Sequence, residues 1–373
     1  MNGTIKFEIS VGGFLAALTK GHGTITRKTI VPILSFAMIH AKQDEIQVHT
    51  SDLDRELTVE TSAAIAKPGS VCLPHQMLLD ICKKLPRDGT ITVEGVEKNR
   101  VAVKCGRSRF VLNTLPAEDF PHLQTGDLPV NFEIEAKTLK GLFSKTGFAM
   151  SDEEARYYLN GVHLHIVSHD EKNALRAVAT NGHRLALHEI PAPAGAENLP
   201  AMIVPRHTVA EILKLDEVGT IKVSASSTKI AIDAGSTTLL SKLIDGDFPN
   251  YTRVIPQSHD STVTIPRADI VGGVDRMAVV TAKENKSSKF TFSGNSLALS
   301  CTNNDMADAS EEMPIILVGE NIEIGFNVRY MAEILANVDS EDVEICMATP
   351  AAPALIRSPG DAGTFFILMP MRV

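Results

Sequence analysis

The sequence has few cysteines and lacks the patterns of secreted or membrane-spanning proteins. Its five cysteines, Cys72, Cys82, Cys105, Cys301 and Cys346, are odd in number and show no C-x-x-C spacing. This usage argues against a disulfide framework or a cysteine-ligated zinc site, and it favours buried, reduced thiols in a cytoplasmic protein. The N-terminal segment MNGTIKFEIS carries no signal-peptide pattern. No uncharged apolar run is long enough to predict a membrane span.

The sequence also lacks the common catalytic and phosphate-binding motifs. It contains no G-x-x-x-x-G-K-S/T loop, no G-x-G-x-x-G after a strand, no G-x-S-x-G elbow and no H-E-x-x-H. His163 and His165 could share a strand face with His169 nearby, but no cysteine or well-spaced carboxylate completes a ligand set. We interpret these histidines as a strand-surface cluster rather than a metal site.

Three acidic residues form a second, weak metal candidate. Asp52, Asp54 and Glu56 alternate along a strand-like segment, so their carboxylates would lie on one face. Oxygen ligands in that arrangement could hold Mg²⁺. Because nothing nearby resembles a phosphate cradle, we expect an exposed acidic edge here instead.

A repeat of roughly a third of the chain organises the sequence. The tripeptide DFP at residues 119–121 recurs at 247–249, a spacing typical of duplicated domains rather than of a short solenoid unit. Short strand-like segments FEI, FEI and VTI precede the apolar helical segments FLAAL, LKGLF and IVGGV. Three further helical segments each place an acid, Asp80, Glu211 or Glu333, before two apolar residues. The pattern predicts three α+β modules with two helices each.

Length and alternation agree with this interpretation. A chain of 373 residues with 44% apolar residues is long enough for two to three soluble domains, each with its own core. Segments of alternating polarity bounded by Gly, Asp, Asn and Pro predict a strand-rich fold. The clearest of these segments are residues 45–49, 90–94, 101–105, 162–166 and 220–223.

Three stretches contain basic residues and no Asp or Glu, although the net charge is −9. These stretches are residues 9–43, 98–117 and 136–151. Local basic surfaces on an acidic body can bind a polyanion while the remaining surface keeps the protein soluble. Solvated lysine faces would produce the same pattern in any single stretch.

The stretch 136–151 predicts an amphipathic helix. Leu139, Leu142 and Phe143 fall on one side, whereas Lys137 and Lys140 fall on another. One face can therefore enter a core while the other meets phosphate. The corresponding helix of the third module carries acids beside its arginines, so it predicts a weaker phosphate contact.

The segment VATNGHRLAL at residues 178–187 contains a strong turn signal. Asn181-Gly182 lies between two strand-like halves and predicts a tight hairpin that places His183 and Arg184 just past the turn. With VPIL, RYYLNG, FPNYTRV, GFNVRY and the terminal MPMRV in the same order, the chain resembles the bacterial replicative sliding clamps, the beta subunits of DNA polymerase III.

This resemblance covers the whole length and implies three domains of the clamp fold, at residues 1–125, 126–257 and 258–373. It implies a homodimer closed head to tail into a ring of six domains, with helices lining the hole and sheets outside. It implies no catalytic site, no cofactor and no metal. The implied partners are double-stranded DNA bound without sequence preference, a clamp loader, and polymerases or repair proteins that carry short clamp-binding peptides. No membrane association is expected.

Position by position, the resemblance implies a set of residues that face DNA. A sliding ring needs sparse Lys and Arg that attract phosphate without contacting base edges. Tyr157 and Tyr158 could equally be core aromatics. The full set is Lys20, Arg27, Lys28, Lys137, Lys140, Arg156, Tyr157, Tyr158 and Arg206.

The resemblance also implies an apolar cleft between the second and third domains that binds a short linear peptide. Methionine suits such a cleft because its flexible thioether repacks around different ligands. Leu185 and Val254 could instead contribute to inter-domain packing. Asn285 stands where some relatives have an aromatic residue, which predicts a more polar rim. The implied lining is Leu159, Thr180, Gly182, His183, Arg184, Leu185, Pro249, Arg253, Val254, Asn327, Tyr330, Ile367, Met369, Pro370, Met371 and Arg372.

Ring closure would join the first module of one copy to the third module of the other, because these modules have free ends. Phe110 and Leu112 alternate on a predicted edge strand, and Val279 and Val280 end a helical segment. By resemblance, these two pairs meet. Such unlike patches close a circle when two copies complete it.

Two other classes of function are compatible with the residues alone. A metal-dependent DNA-processing enzyme would use Asp52, Asp54 or the histidine cluster, and a hydrolysis assay with divalent metals would detect it. A scaffold that does not bind DNA would show no retention on nicked circular DNA.

Overall fold

A similar order of strands and helices occurs three times along the chain, with one strand fewer between the helices of the second repeat. The structure is a computed structural model that describes residues 5–26, 30–97, 99–169, 172–217, 219–281, 287–303 and 307–372. In each repeat a strand leads directly into a first helix, and a later strand leads into a shorter second helix. The predicted architecture of α+β modules with two helices each is therefore confirmed.

The first repeat contains two helices whose apolar faces enter its core. Its elements are β1 (Lys6–Ser10), α1 (Val11–Gly21), β2 (Phe36–Lys42), β3 (Glu45–Ser51), β4 (Arg55–Ser62), β5 (Ala64–Lys67), β6 (Gly69–Pro74), α2 (His75–Lys84), β7 (Thr90–Glu97), β8 (Arg100–Cys105) and β9 (Ser108–Asn113). Helix α1 begins after Ser10, whose Oγ accepts a hydrogen bond from Gly13 N and satisfies one free donor of the first turn. Phe14 and Leu18 of α1 are fully buried.

The second repeat contains the predicted amphipathic helix. Its elements are β10 (Val130–Glu135), α3 (Ala136–Gly147), β11 (Gly161–His169), β12 (Lys172–Thr180), β13 (Arg184–Pro191), β14 (Met202–Pro205), α4 (Arg206–Ile212), β15 (Thr220–Ala225), β16 (Lys229–Asp233) and β17 (Thr237–Lys242). Leu139, Leu142 and Phe143 on α3 are fully buried, and Lys137 is exposed. The two faces expected from the sequence are therefore present.

The third repeat ends close to the C-terminus. Its elements are β18 (Ser261–Pro266), α5 (Arg267–Val280), β19 (Ser287–Ser293), β20 (Ser296–Asn303), β21 (Ala307–Pro314), β22 (Ile316–Gly319), β23 (Ile322–Asn327), α6 (Val328–Leu335), β24 (Asp342–Met347), β25 (Ala354–Arg357) and β26 (Thr364–Leu368). Helix α6 begins after Asn327, whose Oδ1 accepts hydrogen bonds from Arg329 N and Tyr330 N. This capping orients the first turn of α6 and the ring of Tyr330.

The described strands form four antiparallel sheets. Their orders are β5-β1-β7-β8-β9, β10-β15-β16-β17-β4-β3-β2-β6, β14-β11-β12-β13-β26-β25-β24-β18-β22 and β21-β20-β19-β23. The second and third sheets each contain strands of two repeats, because β17 pairs with β4 and β13 pairs with β26. Neighbouring repeats are thus joined by backbone hydrogen bonds.

The chain forms two compact units that do not coincide with the three repeats. One consists of Met1–Lys140, Pro193–Pro200 and Ala210–Leu243, and the other of Gly141–Ala192, Ala201–Val209 and Ile244–Val373. Each unit contains one of the sheets shared by two repeats. The second repeat therefore contributes to both cores.

The prediction of an exposed acidic edge at residues 52–56 is wrong. Asp52 and Asp54 lie in a turn, where Asp52 Oδ1 accepts hydrogen bonds from Asp54 N and Arg55 N and Leu53 has φ +76°. Glu56 follows on β4 and is only 8% exposed. The alternation of acids arises from a capped turn, because Asp side chains readily bond the backbone two residues on.

The predicted strands at residues 45–49, 90–94, 101–105, 162–166 and 220–223 all lie within β-strands. Within the described ranges, no helix is long and apolar enough to cross a membrane.

Candidate functional site

The predicted hairpin is present and forms one side of the candidate site, but its turn lies one residue later than predicted: Asn181 faces Arg184, and Gly182 and His183 form the loop. Strands β12 and β13 pair antiparallel around it, and Gly182 has φ +86°, a conformation that favours glycine. Asn181 Oδ1 accepts hydrogen bonds from His183 N and Arg184 N, at 3.0 and 3.1 Å. A Cβ at Gly182 would lie 2.8 Å from an Arg156 guanidinium nitrogen, so the Arg156 side chain would have to move slightly to make room for one.

The C-terminal segment after β26 is fixed to this turn and to the third repeat by backbone hydrogen bonds. Met369 N donates to His183 O at 2.9 Å, and Met371 N donates to Gly325 O at 2.8 Å. Met369 is half-buried and Met371 is 40% exposed. Two methionine side chains are therefore held at the surface beside the turn.

Arg184 packs between two aromatic rings at the centre of the site. Its guanidinium carbon lies 4.5 Å from the ring centre of Tyr330 and 5.0 Å from that of Phe148, in cation–π geometry. One guanidinium nitrogen lies 2.8 Å from Glu333 Oε2, and the other donates to Phe148 O. Arg184 is only 6% exposed, and these groups offset part of the cost of burying its charge, although its Nε has no hydrogen-bond partner among the described residues.

The apolar floor of the site is a cluster that joins the second and third repeats. Leu185 pairs in register with Ile367, and both are buried with Tyr251. Val254 and Phe248 pack against this cluster as half-buried side chains. The cluster belongs to the core, so the surface beside the turn has a rigid base.

Two stacked histidines hold the segment that carries Pro249 and Val254. His163 stacks on Phe248 with ring centres 4.7 Å apart and planes 3° apart, and His165 stacks on His163 at 4.3 Å. His165 Nε2 lies 3.0 Å from the Tyr251 hydroxyl. Burial lowers the pKa of His163 to about 4 and that of His165 to about 3. Both rings are therefore neutral at neutral pH and serve as packing groups.

The comparison with known proteins decides the family. Models of the N-terminal, central and C-terminal domains of the DNA polymerase III beta subunit match residues 5–124, 133–250 and 252–372. The beta sliding clamp of Caulobacter vibrioides is 38% identical over 99% of this chain and 100% of its own length, and that of Pseudomonas putida is 33% identical over the same shares. The chain belongs to the DNA polymerase III beta subunit family.

A solved relative shows the same fold over the whole chain. The crystal structure of the Bartonella birtlesii sliding clamp bound to griselimycin matches with a TM-score of 0.96 at 36% identity, covering 99% of this chain and 100% of that one. The protein is therefore a DNA sliding clamp built from three clamp domains. It is a non-catalytic processivity subunit.

The structure brings together part of the set of residues expected in the peptide cleft. Thr180, His183, Arg184 and Tyr330 lie around the turn, and Met369 lies beside His183. Leu185 and Ile367 are core residues beneath the surface, and the Asn327 side chain is used as a helix cap. Asn285 lies outside the described residues.

Two residues of the site were missed by the sequence interpretation. Phe148 supplies one ring against Arg184, and Glu333 supplies its ion pair. The recurrence of an acid at position 333 in the third helical segment was a usable signal, because Asp80 and Glu211 occupy the equivalent positions. Phe148 had no local signal, because it lies in a turn after α3.

The residues expected to face DNA are partly engaged within the chain. Lys20 Nζ lies 2.8 Å from Asp216, and Lys140 Nζ lies 2.8 Å from Glu217 and donates to Leu215 O. Lys137 is exposed. Acids that follow α4 thus neutralise part of the basic surface, so phosphate must compete with them.

Of the remaining residues expected to contact DNA, two belong to the first repeat and four to the second. Arg156 pairs with Glu153, and Arg206 donates to Ser151 O. Tyr157 is 53% exposed and Tyr158 is half-buried, with ring centres 5.8 Å apart. Arg27 and Lys28 lie outside the described residues.

We expect the stability of the beta clamp to fall as the pH drops from about 6.5 towards 4. Burial holds the folded-state pKa of His163 near 4, below its ordinary value of 6.5, so the unfolded chain binds the extra proton first. The stability that the neutral, buried histidine contributes is complete above pH 6.5, its ordinary pKa. It is lost as the pH falls towards 4, at up to about 1.4 kcal/mol per pH unit for each histidine. Calorimetry of the wild type and of His163→Phe across this pH range gives the unfolding midpoints that test this expectation.

The phenylalanine variant retains a ring against Phe248 but cannot take up a proton. Its midpoint should fall less with pH than that of the wild type, whereas replacement of the exposed His259 should leave the wild-type slope. Parallel pH profiles for the wild type and His163→Phe would contradict the assignment.

Proposed function

We propose that two copies of this beta clamp close head to tail around duplex DNA. The main support is that strands in equivalent positions of neighbouring repeats pair with each other. β4, β13 and β21 are each the third strand after the first helix of a repeat, and β9, β17 and β26 are each the last strand. β17 pairs with β4 and β26 pairs with β13. β9 and β21 each lie at the edge of a sheet.

The third pairing of this series, β9 with β21, would then form between copies. Phe110 on β9 is 36% exposed and Val279 at the end of α5 is 84% exposed, so both are available as apolar contacts. Arg109 on β9 and Asp308 on β21 are exposed and opposite in charge. Two such contacts close a ring, because the partner's surfaces supply the complementary edges.

Leu112 and Val280 play a smaller part in this proposal. Leu112 is only 4% exposed within its own chain, and Val280 is half-buried. The cleanest test of closure is therefore a change at Phe110.

We place the first helices of the repeats against DNA, with Lys137, Lys20 and Lys140 as phosphate contacts. The ion pairs of Lys20 and Lys140 with acids of the same chain weaken each contact, which suits a ring that must slide. Arg156, Tyr157, Tyr158 and Arg206, with Arg27 and Lys28, complete the proposed set. None of these positions is required to read a base edge.

We place partner peptides in the groove beside His183 and the C-terminal methionines. The relative from Bartonella birtlesii binds griselimycin, which supports ligand binding by this family. Leu159, Pro249, Arg253, Pro370 and Arg372 complete the proposed lining. A short peptide gains roughly 25 cal/mol per Å² of apolar surface removed from water, and ordering costs leave a micromolar affinity.

We retain domain boundaries at residues 125/126 and 257/258 as proposals. Clamp loader, replicative and repair polymerases and double-stranded DNA are the proposed partners, and the cytoplasm is the proposed compartment because chromosomal DNA is there. Light scattering should give twice the mass of the 40.2 kDa chain. The loaded protein should remain on nicked circular DNA and leave when the circle is cut; a monomer mass or retention on cut DNA would contradict the ring.

We expect Lys137→Glu to weaken DNA retention without unfolding the protein. Lys137 is exposed on the face of α3 opposite the buried Leu139 and Phe143, so the fold does not depend on it. The slope of log affinity against log salt concentration should become shallower. The change should equal the contribution of about one phosphate contact per chain. Retention on nicked circles as a function of salt measures this.

Lys222→Glu is the matched control, because Lys222 is exposed on strand β15 rather than on a helix. It makes the same change in net charge and should leave the salt dependence unchanged. Equal losses from the two variants would show that net charge, not α3, determines retention.

A further inference from the structure

Two histidines and a buried carboxylate meet on the sheet of the first repeat. His49 on β3 and Thr58 on β4 are register partners, and Glu56 lies two residues from Thr58 on the same face. His122, in the segment after β9, approaches Glu56 from outside the sheet. His122 and Glu56 are 66 positions apart, so the fold alone creates the cluster.

The atoms of the cluster are joined by hydrogen bonds and lie close to the separations found between metal ligands. His122 Nδ1 lies 2.8 Å and His49 Nδ1 lies 3.2 Å from Glu56 Oε1. One ligand atom from each of the three residues lies within 4.8 Å of the others. Ligand atoms of a tetrahedral Zn²⁺ site are roughly 3.3 Å apart, given bonds of about 2.0–2.2 Å. The two contacts to Glu56 would need to lengthen by only a few tenths of an ångström to admit the ion.

The second oxygen of Glu56 is already oriented by the backbone. Glu56 Oε2 accepts a hydrogen bond from Leu123 N at 2.8 Å, which leaves Oε1 directed at the two imidazoles. Such outer hydrogen bonds fix a ligand's orientation and raise metal affinity. Thr58 Oγ1 lies 3.0 Å from His49 Nδ1, so the fourth position would go to this hydroxyl or to water.

The site is accessible from one side only. The side chains of His49 and Glu56 are 14% and 9% exposed, whereas that of His122 is 44% exposed. An ion can therefore enter past His122 and bind against a buried carboxylate. Imidazole and carboxylate donors suit Zn²⁺ and its neighbours in the first transition row rather than Mg²⁺.

We propose that His49, Glu56 and His122 bind a divalent transition metal of the Zn²⁺ type. The ion would fix the segment after β9 to strand β4, which also pairs with β17 of the second repeat. Its role is to stiffen the junction between the first two repeats. This site is independent of the peptide groove and of the proposed DNA contacts.

The proposal is tested by metal titration of the tag-free, full-length protein after chelator treatment. Zn²⁺ titrated by calorimetry should bind at one ion per chain, and Co²⁺ should give visible absorption bands of a four-coordinate site that Zn²⁺ displaces. His122→Gln, at an exposed position, should fold normally and bind Zn²⁺ more than about 100-fold more weakly, because even outer partners of a ligand contribute ~10–100-fold. Zn²⁺ should also raise the unfolding midpoint of the wild type but not of this variant.

His169→Gln is the matched control. His169 is also an exposed histidine beside a carboxylate, that of Glu189, at 3.2 Å, but Arg176 already pairs with this carboxylate. This variant should bind Zn²⁺ as the wild type does. Absence of saturable binding to the wild type, or equal affinity in His122→Gln, would show that the cluster is only hydrogen-bonded and would overturn the proposal.

Discussion

Phe110→Glu is expected to convert the dimeric beta clamp into monomers. Phe110 is 36% exposed on edge strand β9, where we propose that β21 of a second copy pairs. An uncompensated charge buried at an interface costs about 3–5 kcal/mol. A two-copy ring contains two such interfaces, so both are weakened at once and dissociation should be complete at micromolar concentration. Analytical ultracentrifugation measures the change.

Val96→Glu provides the matched control for Phe110→Glu. Val96 lies in the same sheet on β7, is also 36% exposed and receives the same charge. The Val96→Glu variant should remain dimeric, and its thermal unfolding midpoint should be similar to that of the Phe110→Glu variant. A Phe110→Glu protein that still sediments as a dimer at low concentration would remove β9 from the interface.

Removal of residues 369–373 is expected to abolish peptide binding while the dimer and its DNA retention survive. The deletion takes away Met369 and Met371 together with their backbone. Full burial of an exposed methionine side chain is worth about 1.5–3 kcal/mol, but Met369 is half-buried and Met371 is 40% exposed, so a peptide can cover only about half of each. The two side chains together therefore contribute about 1.5–3 kcal/mol, or roughly 10–100-fold in affinity, since about 1.4 kcal/mol is tenfold. A labelled polymerase-tail peptide titrated against both proteins, with anisotropy as the readout, measures this. Val373 lies outside the described residues.

A double variant separates lost side chains from lost backbone contacts. Met369→Ala with Met371→Ala keeps the hydrogen bonds to His183 O and Gly325 O, which the deletion removes. It should still lose most of the affinity, whereas Met77→Ala, at an exposed methionine of the other compact unit, should lose none. Unchanged peptide affinity in the double variant would place the partner site elsewhere.

The two experiments test different parts of the molecule and fail independently. Phe110 and the C-terminal methionines belong to different compact units. Monomers that bind peptide normally, and dimers that do not, are both expected. A variant that loses both properties would indicate unfolding.

The sequence alone determined the repeated design, because its signals are local. Alternating polarity marked the strands, the face of Leu139 and Leu142 marked α3, and Asn181-Gly182 marked the hairpin. Each of these signals acts within a few residues, through side-chain periodicity or a backbone conformation that glycine favours. The order of motifs along the whole chain then indicated the clamp family.

The tertiary structure decided which groups meet, because those partners are distant in sequence. Lys20 pairs with Asp216, 196 positions away, so a surface that reads as basic is partly neutralised. Glu56 looked like part of an exposed acidic edge, yet strand pairing buries it beside His49 and His122. Whether a charge is free, paired or close to a metal-binding geometry depends on which distant segments of the chain come together, and local periodicity does not specify those partners.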